Sequence, residues 1–133
     1  MCLEVVSTNW TYEQEEKTFY KVLVVHEGKL CSPYYSYEWK VGENEVYFGP
    51  PNDNYFYSDA GNFQRFVFEG LHVFQELSNA EIVRQTLMRH RGCDCVIVKL
   101  TGKKTDFIAT GYVDAAFTKL TLSQEEYDRC VLK

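Results

Sequence analysis

Residues 93–100 restrict the fold more than any other segment. Their two alternating sets of side chains, Cys93/Cys95/Ile97 and Val96/Val98/Leu100, are both largely apolar. A strand of this kind must be covered on both faces, so it belongs at the centre of a sheet. The rest of the chain supplies partners for it. Residues 3–6, 19–25, 45–48, 66–68, 71–74, 107–109 and 117–122 are short, rich in β-branched and aromatic residues, and bounded by Gly, Pro, Asn or Asp. His26-Glu27-Gly28-Lys29 turns the chain from residues 19–25 into Leu30-Cys31, a hairpin. Glu69-Gly70 lies between two apolar runs and reads as a bulge or tight turn within one strand. Gly102-Lys103 reads as the turn that ends the central strand.

Helical signals are few. Ser78-Asn79-Ala80-Glu81 has the spacing of a capping box, Ala80, Val83 and Leu87, joined by Ile82, form one face, and Gly92 closes the segment. A second Ser-x-x-Glu at Ser123 and Glu126 starts a short C-terminal helix. Runs of strands around one main helix predict a single α+β domain over residues 1–133. Its sheet is bent and mainly antiparallel, with about 6–8 short strands. At 133 residues the chain is long enough for one hydrophobic core and too short for two domains.

Composition excludes several function classes. The formal charge is −5, and Lys103-Lys104 is the longest basic run, so there is no electrostatic footprint for nucleic acid. No apolar stretch approaches the roughly 20 residues of a membrane span, and no apolar signal segment follows Met1, which predicts a cytoplasmic chain. Five cysteines without a secretion signal read as free thiols. Cys93-Asp94-Cys95 lacks the second cysteine pair of a structural zinc site, and phosphate-binding glycine loops are absent, so neither metal nor cofactor is expected.

Three features could carry chemistry. Removal of Met1 would leave Cys2 with its thiol beside its own α-amine, whose pKa of about 8 suits a general base toward a nucleophile. The bland reading is an inert thiol next to the first strand. His72, beside Gly70, is placed to enter a cleft as acid or base; equally, it is a strand histidine bonded to a neighbour. The aromatic set Tyr34, Tyr35, Tyr37, Trp39, Tyr55, Phe56 and Tyr57 falls in two loop-like segments, 32–39 and 49–64. Such residues suit ligand stacking or a protein interface, and would serve as well as a satellite core.

Met1-Cys2-Leu3, Tyr20-Lys21-Val22-Leu23, Ser32-Pro33-Tyr34 through Trp39 and Gly42, and Gly70-Leu71-His72-Val73-Phe74 ahead of Ala80 follow one another in an order that resembles a family of small bacterial and phage proteins. That family brings no activity with it. The resemblance implies that Cys2, Ser32, Pro33 and His72 belong to one recurring constellation. The acidic stretch 12–17 and the long aromatic loop depart from the pattern.

Two functions follow as expectations. In the first, Cys2 is the nucleophile on a carbonyl-type carbon, His72 shuttles the proton, and backbone donors near Ser32 hold the oxyanion. In the second, the chain is a non-catalytic accessory module, of the anti-defence kind, that binds a small molecule or a host protein through Ser32, Tyr34, Tyr37, Trp39, Tyr55 and Tyr57. A monomer or a homodimer with surface aromatics at its interface fits either.

Overall fold

The computed structural model describes residues 3–33, 37–45, 56–58, 65–67, 70–92 and 94–132, with the side chains of 56–58 and 65 outside that description. In chain order the elements are β1 (Leu3–Glu4), β2 (Glu16–His26), β3 (Lys29–Cys31), β4 (Glu38–Trp39), β5 (Gly42–Glu45), β6 (Phe56–Ser58), β7 (Arg65–Val67), β8 (Leu71–Phe74), α1 (Leu77–Arg91), β9 (Cys95–Lys103), β10 (Phe107–Thr110), β11 (Asp114–Phe117), β12 (Lys119–Leu122) and α2 (Gln124–Val131). The protein is an α+β domain, and every strand pair among the described residues is antiparallel.

Nine strands form the main sheet. Seven run in the order β10-β11-β8-β2-β9-β12-β5, β3 joins β2, and β4 joins β3; β1, β7 and β6 make a separate three-stranded sheet. The expected central strand is β9, which lies between β2 and β12. Its Val98 and Leu100 enter the main core with Phe19, Leu23, Phe117 and Leu120, while Cys95 packs under α1 with Val22, Ala80 and Leu87. Both faces are therefore covered, as the double apolar alternation demands.

The hairpin between β2 and β3 is closed by Glu27 and Gly28, with φ of 51° and 74°. Two left-handed residues in a two-residue loop give the turn whose twist matches that of the flanking strands.

Strand number exceeds the expectation, twelve among the described residues, because the run expected at 117–122 divides between β11 and β12, which are not neighbours in the sheet, and because two segments read as loops contain strands. Residues 32–39 include β4, and residues 49–64 include β6, which pairs with β7. The strand expected at 45–48 meets β5 (Gly42–Glu45) at Glu45, and residues 46–48 lie outside the described residues. The run around Gly70 is not one interrupted strand: β7 and β8 belong to different sheets. Gly70, at φ 104°, makes the crossing, and a Cβ there would come within 2.9 Å of Ile108 Cδ1. Gly102 does not end β9 but lies within it, where a Cβ would meet the Phe117 ring at 2.6 Å. The chain turns one step later, through a 3-10 turn over Lys104–Asp106.

Helix α1 starts one residue before Ser78, with Glu76 at its N-cap and no side-chain cap, so the expected capping box does not form. Its end is as read: Gly92, at φ 62°, donates its N–H to Met88 O at 3.1 Å. Ala80 and Leu87 are buried and Val83 packs beside them, but Ile82 is 63% exposed. Two residues along a helix rotate a side chain by about 200°, which carries Ile82 off the face of Ala80. Helix α2 uses its predicted cap, with Glu126 N–H donating to Ser123 Oγ at 3.1 Å. No helix among the described residues is long and apolar enough to cross a membrane.

Candidate functional site

Strand β2 carries β9 along the whole of one edge, from Glu16↔Lys103 to Val24↔Cys95. The other edge is shared. β8 meets it at Tyr20↔Phe74, and β3 takes over from Val24↔Cys31. Both partners run antiparallel to β2, so the C-terminal end of β3 and the N-terminal end of β8 face each other across an opening beside residues 21–23 (a run with no described strand paired to it on this edge). The chain leaves β3 into Ser32-Pro33 and enters β8 through Gly70, which places Ser32 and the backbone of His72 at the two sides of one opening.

Lys21 fills that opening. Alternation along β2 sends Phe19, Lys21 and Leu23 to one face, where Phe19 and Leu23 are core residues, and Val22 to the other, beneath α1. The Lys21 stem therefore runs over the main core, and its Nζ donates to the His72 carbonyl at 2.7 Å. This side-chain bond stands in for the ladder bond that β2 and β8 do not make. Nζ also lies 5.9 Å from the centre of the Trp39 ring, within cation–π range. No carboxylate among the described residues lies within ion-pair distance of it. Burial without a counter-charge pulls the amine down from 10.5 to about 8.

The Ser32 side of the opening is held by bonds of its own. Trp39 Nε1 donates to Ser32 Oγ at 2.8 Å, and Ser32 N–H donates to Tyr37 O at 2.8 Å. The Tyr37 hydroxyl donates to Asn44 Oδ1 at 3.2 Å, and its ring meets that of Trp39 edge-on at 5.4 Å. Burial raises the Tyr37 phenol above its usual pKa, and the charge of Glu45 adds to this. Asn44, itself buried, is tied to the Lys40 backbone through both ends of its amide. Pro33 O accepts a bond from Arg91 at the end of α1, at 2.6 Å.

The expected site residues thus separate into groups. Ser32, Tyr37 and Trp39 come together, but as a packed wall: Trp39 is 1% exposed and belongs to the core rather than to a ligand-facing loop. The Ser32 amide, expected to steady an oxyanion, is already bonded to Tyr37. His72 contributes its backbone to the opening. Its neighbours Leu71 and Val73 face the main core, so its imidazole points to the opposite face from Lys21 and Ser32, with both ring nitrogens buried. Cys2, Tyr34 and Tyr55 lie outside the described residues, as does the Tyr57 side chain, although Tyr57 itself is placed in β6. Leu3 pairs with Val67 and packs against Ala116, which is the cross-strand partner of His72.

Lys21 was not among the expected residues, though a signal for it exists. In Phe19-Tyr20-Lys21-Val22-Leu23 the positions two before and two after it are large and apolar, so a strand of this register must turn the lysine inward.

A second opening in the sheet is closed differently. β12 pairs with β9 only at Thr121↔Thr101. Beyond that point helix α2 supplies side chains to the β9 backbone: Lys99 N–H donates to Glu126 Oε2 at 2.7 Å and Arg129 donates to Ile97 O at 2.9 Å. Arg129 and Glu126 also pair with each other at 2.7 Å. Burial would raise the Glu126 carboxyl, but the bonds from Arg129 and from the Lys99 amide outweigh it and hold the pKa below the usual range. Among the described residues no three His, Cys, Asp or Glu side chains converge as a metal site. No protein-family profile, curated protein or solved structure matches this chain.

Proposed function

We propose that this domain is a small-molecule-binding module whose ligand presents an anionic group or a polarised carbonyl oxygen to Lys21, at the opening between β3 and β8. The observation that carries this reading is a buried amine with one neutral acceptor, the His72 carbonyl, and no carboxylate within reach among the described residues. A lysine ammonium has three donors, and a ligand oxygen can take those that His72 leaves. Burying an uncompensated cation costs stability, and a ligand that supplies the missing charge recovers it. Ser32, Tyr37 and Trp39 form one wall, already braced by hydrogen bonds among themselves, as suits a site formed before the ligand arrives.

Binding is favoured over acyl transfer because the Ser32 amide is engaged and the His72 ring faces away from Lys21. Isothermal titration calorimetry with a panel of small carboxylates, keto acids and inorganic phosphate tests the reading. The expected result is one-to-one binding of at least one probe, weakened ten-fold or more by Lys21→Met. Absence of binding at millimolar probe, or binding that Lys21→Met leaves unchanged, overturns it.

A further inference from the structure

We propose that Lys21 captures its ligand covalently, as an imine with an aldehyde or ketone carbon; this deepens the binding role proposed for the same opening. Three features of the geometry point there. The amine is oriented, since one of its hydrogens is fixed on the His72 carbonyl 2.7 Å away. It lies half-buried over the apolar face of β2 and beside the Trp39 ring, surroundings that favour its neutral form. No neighbouring carboxylate among the described residues stabilises the unreactive ammonium, whereas Lys119 stands 3.5 Å from both Glu43 and Glu45 and is held protonated.

The chemistry balances without any further reagent. The nitrogen lone pair attacks the carbonyl carbon and a C–N bond forms. The carbonyl π electrons move to oxygen, which takes up a proton to give a carbinolamine. Loss of that oxygen as water, carrying away the two hydrogens of the neutral amine, leaves a C=N bond. No atom is oxidised or reduced overall. A desolvated lysine without a counter-ion is the form in which this nucleophile works at neutral pH. With a pKa of about 8, roughly a tenth of the amine is neutral at pH 7, against fewer than about one in a thousand for an ordinary lysine.

The test is reductive trapping of the full chain at pH 7 with glyoxylate as the probe and sodium cyanoborohydride to fix the imine, followed by peptide mapping. Lys21 is expected to be labelled at least ten-fold faster than exposed lysines such as Lys29 and Lys40. Labelling of Lys21 no faster than these overturns the proposal, and because it is read on the unaltered protein it does not depend on any variant folding. Lys21→Arg then separates the two claims. It should abolish the adduct at this site, and calorimetry of the unaltered protein with acetate, a carboxylate without a reactive carbonyl, reads binding alone. Calorimetric binding in the wild-type protein without a Lys21 adduct overturns the imine alone; loss of both overturns the binding role as well.

Discussion

The main sheet opens at two places, and the protein closes them by opposite means. Between β9 and β12, α2 delivers Glu126 and Arg129 together, so the β9 backbone gains an acceptor and a donor and the two charges neutralise each other. Between β2 and β8, Lys21 alone reaches across, and among the described residues its charge meets the His72 carbonyl dipole and the Trp39 ring but no carboxylate. The first closure is self-sufficient and needs nothing from outside. The second leaves a buried cation with no counter-charge among the described residues. A buried charge that a fold does not satisfy internally marks a place where something else satisfies it, which is why the second opening and not the first is read as a binding site.

The largest separation between the two openings should come from cutting the paired one. Glu126→Gln removes the carboxylate from both Arg129 and the Lys99 amide. It should cost about 2–3 kcal/mol in chemical denaturation, somewhat below the range for fully buried pairs because the Arg129 side chain is 49% exposed. The same contribution has a pH signature. The Glu126 pKa is lowered by folding, so its stabilisation is complete above the ordinary value of 4.5 and is lost as pH falls through the folded value. Wild type and Glu126→Gln should therefore converge in acid; a constant difference would mean that the carboxylate charge is not what holds the β9 edge.

Cutting the unpaired opening should do the reverse. Lys21→Met keeps the stem over the core and removes the buried charge, and should raise stability by about 1–2 kcal/mol at pH 7, the relief of desolvation exceeding the bond lost from the His72 carbonyl. The lysine has a pKa of 10.5 in the unfolded chain and about 8 when folded, so the unfolded state holds a proton that the folded state releases between those values. The destabilising effect is complete below about 8 and fades as pH rises toward 10.5, so the advantage of the variant should shrink over that window. A variant less stable than wild type at pH 7 would show that Lys21 is a structural brace like Glu126. The smallest effect, about 1 kcal/mol, is expected from Ser123→Ala, which removes the α2 cap. Thermal melts should register it, and reductive trapping at Lys21 should not.

Much of the scaffold could be read before the coordinates, because it rests on local signals. The double alternation of residues 93–100 required a covered central strand, which is β9 from Cys95 on, and Gly92 and Ser123 mark helix ends that the backbone confirms. What escaped was set by distant contacts. Gly102 read as a turn because its reason for being glycine, the Phe117 ring, lies on another strand. Trp39 read as a loop aromatic because the strand that buries it, β3, is joined to it by a segment rich in turn residues. Ser32 and the His72 backbone border one opening, and the group at its centre is Lys21. A charge inside a strand is ordinarily assigned to the solvent face, and the signal against that here is the flanking pair Phe19 and Leu23, whose face Lys21 shares in β2.

The register of β2 against β9 also has a consequence for synthesis. Glu16 pairs with Lys103, so residues made early wait for residues made late. At a translation speed of roughly 5–20 residues per second, β2 spends seconds outside the ribosome before its main partner exists. Throughout that interval Phe19, Val22 and Leu23 lack β9 beside them, and until β8 and α1 emerge the short β2–β3 hairpin is the described ladder on β2 that can already close. A nascent chain of this design depends on shelter for β2 until β9 has emerged.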